Sequence, residues 1–214
     1  GFGANPDMVV KYKPELEGFG TTNHKGATGD AFAWIEKFGG ALTQMDEIQT
    51  HPTVVPGNGL MITEAVRGNG AIMVNREGNR FCSEMATRDV MSKAILNQTG
   101  KTAYLVFDMG VRKSLKAIEG YVKQGLLTEG ETPEALAQKL GIPAESFAST
   151  IASYNQIQAS GNDAEFGRKA SEMPRSLTEG PYYAVEVGPA IHHTMGGIKI
   201  TPNAEVLDTN GNVI

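Results

Sequence analysis

The chain has 214 residues, 40% of them hydrophobic and 20% charged, with a formal net charge of −5. Those are the proportions of a soluble globular protein, and the charge gives no electrostatic reason to bind nucleic acid or an anionic membrane. No apolar run approaches the roughly 20 residues of a spanning helix, and the single Cys82 excludes an internal disulfide while leaving the redox compartment open.

The length fits one domain, or one domain with part of another. The N-terminal GFGANPDMVV lacks the basic and apolar regions of a signal peptide. There is no initiator Met, and the terminal Val213-Ile214 reads as the entry to another strand. A piece of a longer protein is therefore expected.

Up to about residue 50, turn signals surround one good helix. GATGD leads into AFAWIEKFGG, where Phe32, Ile35 and Phe38 are spaced to share a face and Gly39-Gly40 stops the helix. ALTQM follows as a short strand. His51-Pro52-Thr53 reads as a rigid turn, and Thr63 as the N-cap of a single helical turn with Glu64 at its positive end. Glu64 and Arg67 are three apart and can face each other along that turn; read alone, they make a surface ion pair contributing under about 1 kcal/mol.

AIMVNREGNRF, residues 71–81, predicts a hairpin about Glu77-Gly78-Asn79. A helix is predicted over 87–98, and AYLVFD as a buried strand. Thr132-Pro133-Glu134 supplies a cap, a proline at the first helical position and an acid in the first turn, with Gly141 closing that helix. The next helix starts near Pro143 and places Phe147, Ile151, Tyr154 and Gln158 on one stripe. YYAVEVGPAIHHTMGGIKI, AEVLD and Asn210-Gly211 are strand-rich with a hairpin signal. Helices and short strands without regular βαβ alternation predict an α+β fold.

Gly1-Phe2-Gly3 and Gly68-Asn69-Gly70 imitate the start of a dinucleotide fingerprint, but neither has the third glycine or the strand and long helix around it. His192 and His193 are adjacent and diverge, with no HxxxH or CxxC nearby, so no metal site is expected. More informative is the set His51, Thr63, Arg67, Arg88 and His192. Arginine forks suit carboxylates, and the other donors suit the remaining oxygens of a small dicarboxylate. Arg88 opens a helix, where the dipole does not favour a cation. His192 precedes Thr194-Met195-Gly196-Gly197, a backbone bare enough for a flat ligand to approach.

HPT, then TEAVRGNGAIMVNREGNRF, then TRD, then HHTMGG closely resemble the flavoprotein of soluble bacterial fumarate reductases of the flavocytochrome c type, and more distantly succinate dehydrogenase flavoproteins and L-aspartate oxidases. The resemblance is collinear over nearly the whole chain. Only six residues separate Arg80-Phe81 from Arg88, as in the soluble type. It implies that residues 1–50 are the trailing part of an FAD-binding domain, residues 51–190 a capping (clamp) domain over the substrate, and residues 191–214 return strands into the FAD-binding domain.

The same resemblance implies FAD as cofactor, hydride transfer from flavin N5 to an alkene carbon, and Arg88 as proton donor, with Glu64 and Arg67 as the relay that reprotonates it. His51, Thr63 and His192 would hold substrate carboxylate oxygens, Met61 would pack on the substrate, and Gly196 and Gly197 would approach the flavin. His193 stands where the wider family has tyrosine, which leaves it a supporting role behind the substrate contacts. The Rossmann fingerprint and a later substrate arginine of the family are absent, so the chain alone is expected to bind FAD weakly and not to turn over. Implied partners are a small dicarboxylate and an electron donor, which is a haem, a flavin domain or a soluble carrier; the family favours a bacterial periplasm, with the cytoplasm as alternative. Two other readings stand beside fumarate reduction: reduction of another 2-enoate such as urocanate or acrylate, and a non-catalytic ligand-binding domain with the cap fold.

Overall fold

The computed structural model describes all residues from Gly1 to Ile214. In chain order it contains α1 (Pro6–Tyr12), α2 (Asp30–Lys37), β1 (Leu42–Thr43), β2 (Ile48–Val54), α3 (Ala65–Gly68), β3 (Ile72–Val74), α4 (Arg88–Leu96) and β4 (Ala103–Asp108). It continues with α5 (Met109–Ser114), α6 (Ala117–Lys123), β5 (Thr128–Gly130), α7 (Pro133–Leu140), α8 (Ala144–Ser160), β6 (Tyr182–Thr194) and β7 (Gly197–Ile198). Helix and sheet are mixed, and the chain divides into two compact units, Gly1–His51 with Ala190–Ile214, and Pro52–Pro189. The chain leaves the first unit within β2 and returns within β6.

The first unit has its own core of Phe2, Val9, Leu16, Phe32, Met45, Ile48 and Ile191. α1, which the sequence reading did not anticipate, starts from Asn5, whose Oδ1 accepts the Met8 N–H at 3.0 Å, with Pro6 at the first helical position. α2 is present, but its three aromatic and aliphatic residues do not share one buried face. Phe32 enters the core, whereas Phe38 is 76% exposed because the helix ends at Lys37 and Phe38 leaves the stripe. β1 and β7 pair antiparallel, and the last residues fold back through bridges Ile200–Val206 and Leu207–Val213.

The larger sheet has the strand order β2-β6-β4-β3, with β5 also on β6. β4 is buried along its whole length between antiparallel neighbours β3 and β6, which is why AYLVFD is continuously apolar up to its last residue. β2 lies at the edge, where Pro52 costs no ladder bond. His51 therefore sits in an extended strand and not on the rigid turn that its proline suggested.

The hairpin expected over residues 71–81 forms only in part. Gly78 turns with φ +84°, and a Cβ there would meet the Phe147 amide at 3.0 Å, where α8 begins. The first arm is β3, but the second is a single bridge, Val74–Arg80. The Met73 N–H donates to the Glu84 carboxylate at 3.2 Å, so a side chain occupies a donor that a second strand would have used.

α7 has the predicted cap, Thr132 Oγ1 accepting the Ala135 N–H at 3.2 Å, and ends on Gly141 at φ +69°. It packs on α8 and β5. Phe147, Ile151 and Tyr154 of α8 are buried in the larger core as their spacing requires.

Candidate active site

Residues 53–62 form a tight hairpin: Val55 N–H donates to Leu60 O and Ile62 N–H to Thr53 O, each at 2.8 Å. The Thr53 hydroxyl closes it with a 2.9 Å bond to Ile62 O. The chain then turns at Thr63, whose N–H donates to the Tyr121 hydroxyl at 3.0 Å. One helical turn follows. The Thr63 carbonyl accepts from Val66 N–H at 3.1 Å, and its hydroxyl accepts from Ala65 N–H at a long 3.4 Å. This is a weaker cap than the sequence pattern implied, with Glu64 occupying the capping position itself.

That turn sets the charges. Glu64 Oε2 lies 3.6 Å from Arg67 Nη2 and 3.5 Å from Arg88 Nε. Arg88 is the first residue of α4, and Glu64 answers the cation that the helix dipole there disfavours. Arg67 is buried, so the pair is not the surface ion pair that TEAVRG alone suggests. Burial pulls the Arg67 guanidinium below its ordinary value; Glu64 opposes this, while Arg88 and Arg168 push it further down. Met61, on the hairpin before this turn, keeps its side chain partly open to solvent.

His51 and His192 belong to the first unit. Their rings meet edge-on, with centroids 5.2 Å apart at 64°. A 2.8 Å hydrogen bond joins Thr22 Oγ1 to His192 Nδ1, which fixes the imidazole in place. His193, the next residue of β6, faces solvent.

The family described as FAD binding domain matches residues 1–214. The chain belongs to the FAD binding domain family. It is 49% identical over 214 residues to the fumarate reductase (cytochrome) of Shewanella frigidimarina, covering 100% of this chain and 37% of that protein. It is 45% identical to the NADH:fumarate oxidoreductase of Klebsiella pneumoniae, covering 98% of this chain and 23% of that protein. The open conformation of a flavocytochrome c3 fumarate reductase superposes with a TM-score of 0.85 at 43% identity, over 100% of this chain and 38% of that one. More distant are the NADH:acrylate oxidoreductase of Vibrio harveyi, at 35% identity over 100% of this chain and 22% of that protein, and the urocanate reductase of Eggerthella lenta, at 36% over 98% and 36%. The chain thus spans little more than a third of the length of the first of these relatives.

Within this FAD binding domain chain, the two glycines assigned to the flavin differ. A Cβ on Gly196 would sit 2.1 Å from Gln44 O, so its missing side chain is already required by the neighbouring backbone. At Gly197 the nearest atom to such a Cβ is Phe32 Cε1 at 3.9 Å, ordinary contact, and the half-buried backbone fits the approach of a planar ring.

The sequence reading missed a buried ionic network beneath α3. Arg80 donates to Glu84 through Nε and Nη2, both at 2.8 Å, and to Asp163 at 2.9 Å. Arg168 donates to the same Glu84 at 3.1 Å. Burial pulls Arg80 down, but its bonds to Glu84 and Asp163 outweigh that and hold it above the ordinary arginine range. Arg80 and Glu84 stand four apart in RFCSE and could have been paired from that spacing; Asp163 and Arg168 left no local signal.

Proposed function

We propose that this chain supplies the proton-delivering and carboxylate-holding residues of an FAD-dependent fumarate reductase, which converts fumarate to succinate. The observation that carries the reading is the Glu64 carboxylate set 3.5 Å from Arg88 and 3.6 Å from the buried Arg67. In this reading residues 51–190 are the capping domain, while residues 1–50 and 191–214 belong to the FAD-binding domain, with Gly196 and Gly197 approaching the flavin.

Bound FAD supplies the hydride. The chain's own residues handle the carboxylates and the proton. His51, His192 and Thr63 donate hydrogen bonds to substrate carboxylate oxygens and stabilise the negative charge that develops there, as oxyanion-hole donors do. Met61 packs against the carbon skeleton. The Arg88 guanidinium gives its proton to the second alkene carbon. Arginine is a poor acid, with a pKa above about 12, so it serves only where a strongly basic carbon draws the proton and Glu64 returns one. Arg67, its guanidinium destabilised by burial, stands behind Glu64 as the next member of the relay. Electrons enter from a haem, a flavin domain or a soluble carrier.

The test is steady-state fumarate reduction by the flavoprotein carrying Arg88→Lys and Arg88→Ala. Both are expected to lose at least about a hundredfold in kcat; unchanged rates remove Arg88 as the acid, and no fumarate reduction by the unsubstituted flavoprotein would favour a ligand-binding role. The identities of 45–49% to fumarate-reducing relatives, against 35–36% to acrylate and urocanate reductases, support the dicarboxylate. Fumarate, urocanate and acrylate offered to the same reduced enzyme separate these substrates directly.

A further inference from the structure

A guanidinium that passes protons is hindered by a tight carboxylate partner, which stabilises the charged form. Arg67 has none within hydrogen-bonding distance. Its Nη1 donates to neutral acceptors, the Glu84 carbonyl at 2.5 Å and the Met91 sulfur at 2.9 Å. Its Nε and Nη2 are buried without hydrogen-bond partners, and its ion-pair partner Glu64 stays at 3.6 Å.

Glu84 is close enough to offer Arg67 its backbone, yet its carboxylate is spent elsewhere. Oε1 accepts from Arg80 Nε at 2.8 Å and Met73 N at 3.2 Å; Oε2 accepts from Arg80 Nη2 at 2.8 Å and Arg168 Nη1 at 3.1 Å. Arg168 in turn fixes the backbone that carries Arg67. Its Nη2 donates to Arg67 O at 2.7 Å and its Nη1 to Ala71 O at 3.1 Å. Arg67, Arg80 and Arg168 are thus set against only Glu84 and Asp163 in the buried network; Glu84 pairs with Arg80 and Arg168, and Asp163 with Arg80, so neither carboxylate pairs with Arg67.

We propose that Glu84, Arg168 and Met91 are positioning residues that hold Arg67 away from any buried carboxylate, leaving Glu64 as the acid with which it exchanges protons. The proposal rests on the relay reading above. The titratable and charged groups facing Arg67 are Glu64 beside it, Cys82 and Glu84 on the segment before α4, Arg88 on α4, and Arg168 after α8. Burial and the cations among them lower its proton affinity, as the geometry requires.

The test uses the flavin-loaded enzyme and follows kcat and KM for fumarate from neutral to alkaline pH in Met91→Leu, Arg168→Lys, Glu84→Gln and Arg67→Ala. Positioning predicts that kcat falls, roughly tenfold for Arg168→Lys and Glu84→Gln and less for Met91→Leu. KM should stay within about twofold, and the alkaline limb of the kcat profile should move in all three. A wild-type rate in Arg67→Ala would overturn the relay itself and this proposal with it. A slow Arg67→Ala beside three variants with wild-type profiles, or with raised KM alone, would overturn only the positioning. Met91→Leu conserves volume and is expected to fold; if the two ionic variants yield no flavin-loaded enzyme, its profile decides alone, and an unshifted limb rejects the proposal.

Discussion

Arg67 and Glu64 lie 3.6 Å apart across one helical turn, with the arginine side chain 1% exposed and the glutamate 48%. One end of the pair is sealed in the protein and the other reaches water. This asymmetry suits a proton conduit better than a stabilising ion pair, because an exposed partner returns little of the cost of burying the cation. Glu64→Gln keeps the shape and removes the acid. It is expected to lower kcat for fumarate by about a hundredfold or more with little change in KM, measured on the flavoprotein. A rate near wild type would remove Glu64 from the proposed relay.

The Glu64–Arg67 relationship was legible because it is local: residues three apart on a helical turn meet whatever the rest of the chain does. The caps of α7 were legible for the same reason, and so was the buried strand β4, whose uninterrupted apolar run needs no partner to be recognised. Burial of Arg67 was not legible, since it depends on Glu84, Met91 and Arg168 arriving from distant segments. His51 was misplaced onto a turn because proline was read as a turn former, when an edge strand accommodates it equally well.

The buried network makes a stability prediction independent of catalysis. The Arg80 side chain is only 6% exposed and divides its charge between Glu84 and Asp163. Asp163→Ala strands part of that cation without water, and removing one partner of a buried pair costs about 3–5 kcal/mol. The urea midpoint should fall accordingly. A loss below about 1 kcal/mol would mean that Glu84 alone satisfies Arg80.

At α7 the two ends can be tested together. Thr132→Ala deletes the bond to Ala135 N–H, at an expected cost of about 1 kcal/mol, and Thr132→Ser should recover most of it. Gly141→Ala places a Cβ on a left-handed residue at φ +69°, where no neighbour lies within 4 Å, so strain is the sole penalty, again about 1–2 kcal/mol. The double variant should lose the sum of the two in denaturant unfolding, since the sites share no partner. A clear departure from additivity would indicate that α7 frays as a unit.

Cys82 carries the pH prediction. Burial pushes its thiol from 9.0 up to about 12, with the Glu84 carboxylate adding to the shift and Arg80, Arg67 and Arg168 pulling against it. The folded-state value is raised, so the thiol is neutral in both states below about pH 9 and its contribution to stability is fully present there. As pH rises from 9 towards 12, the unfolded chain gives up the proton while the folded chain retains it, and stability falls. Within that window the slope approaches about 1.4 kcal/mol per pH unit for this one group. Cys82→Ala leaves a small cavity whose cost does not depend on pH, and it removes the titration. Plots of unfolding free energy against pH for wild type and variant should therefore run parallel below pH 9 and converge above it. Curves that stayed parallel throughout would place the Cys82 thiolate within reach of water or of the surrounding arginines.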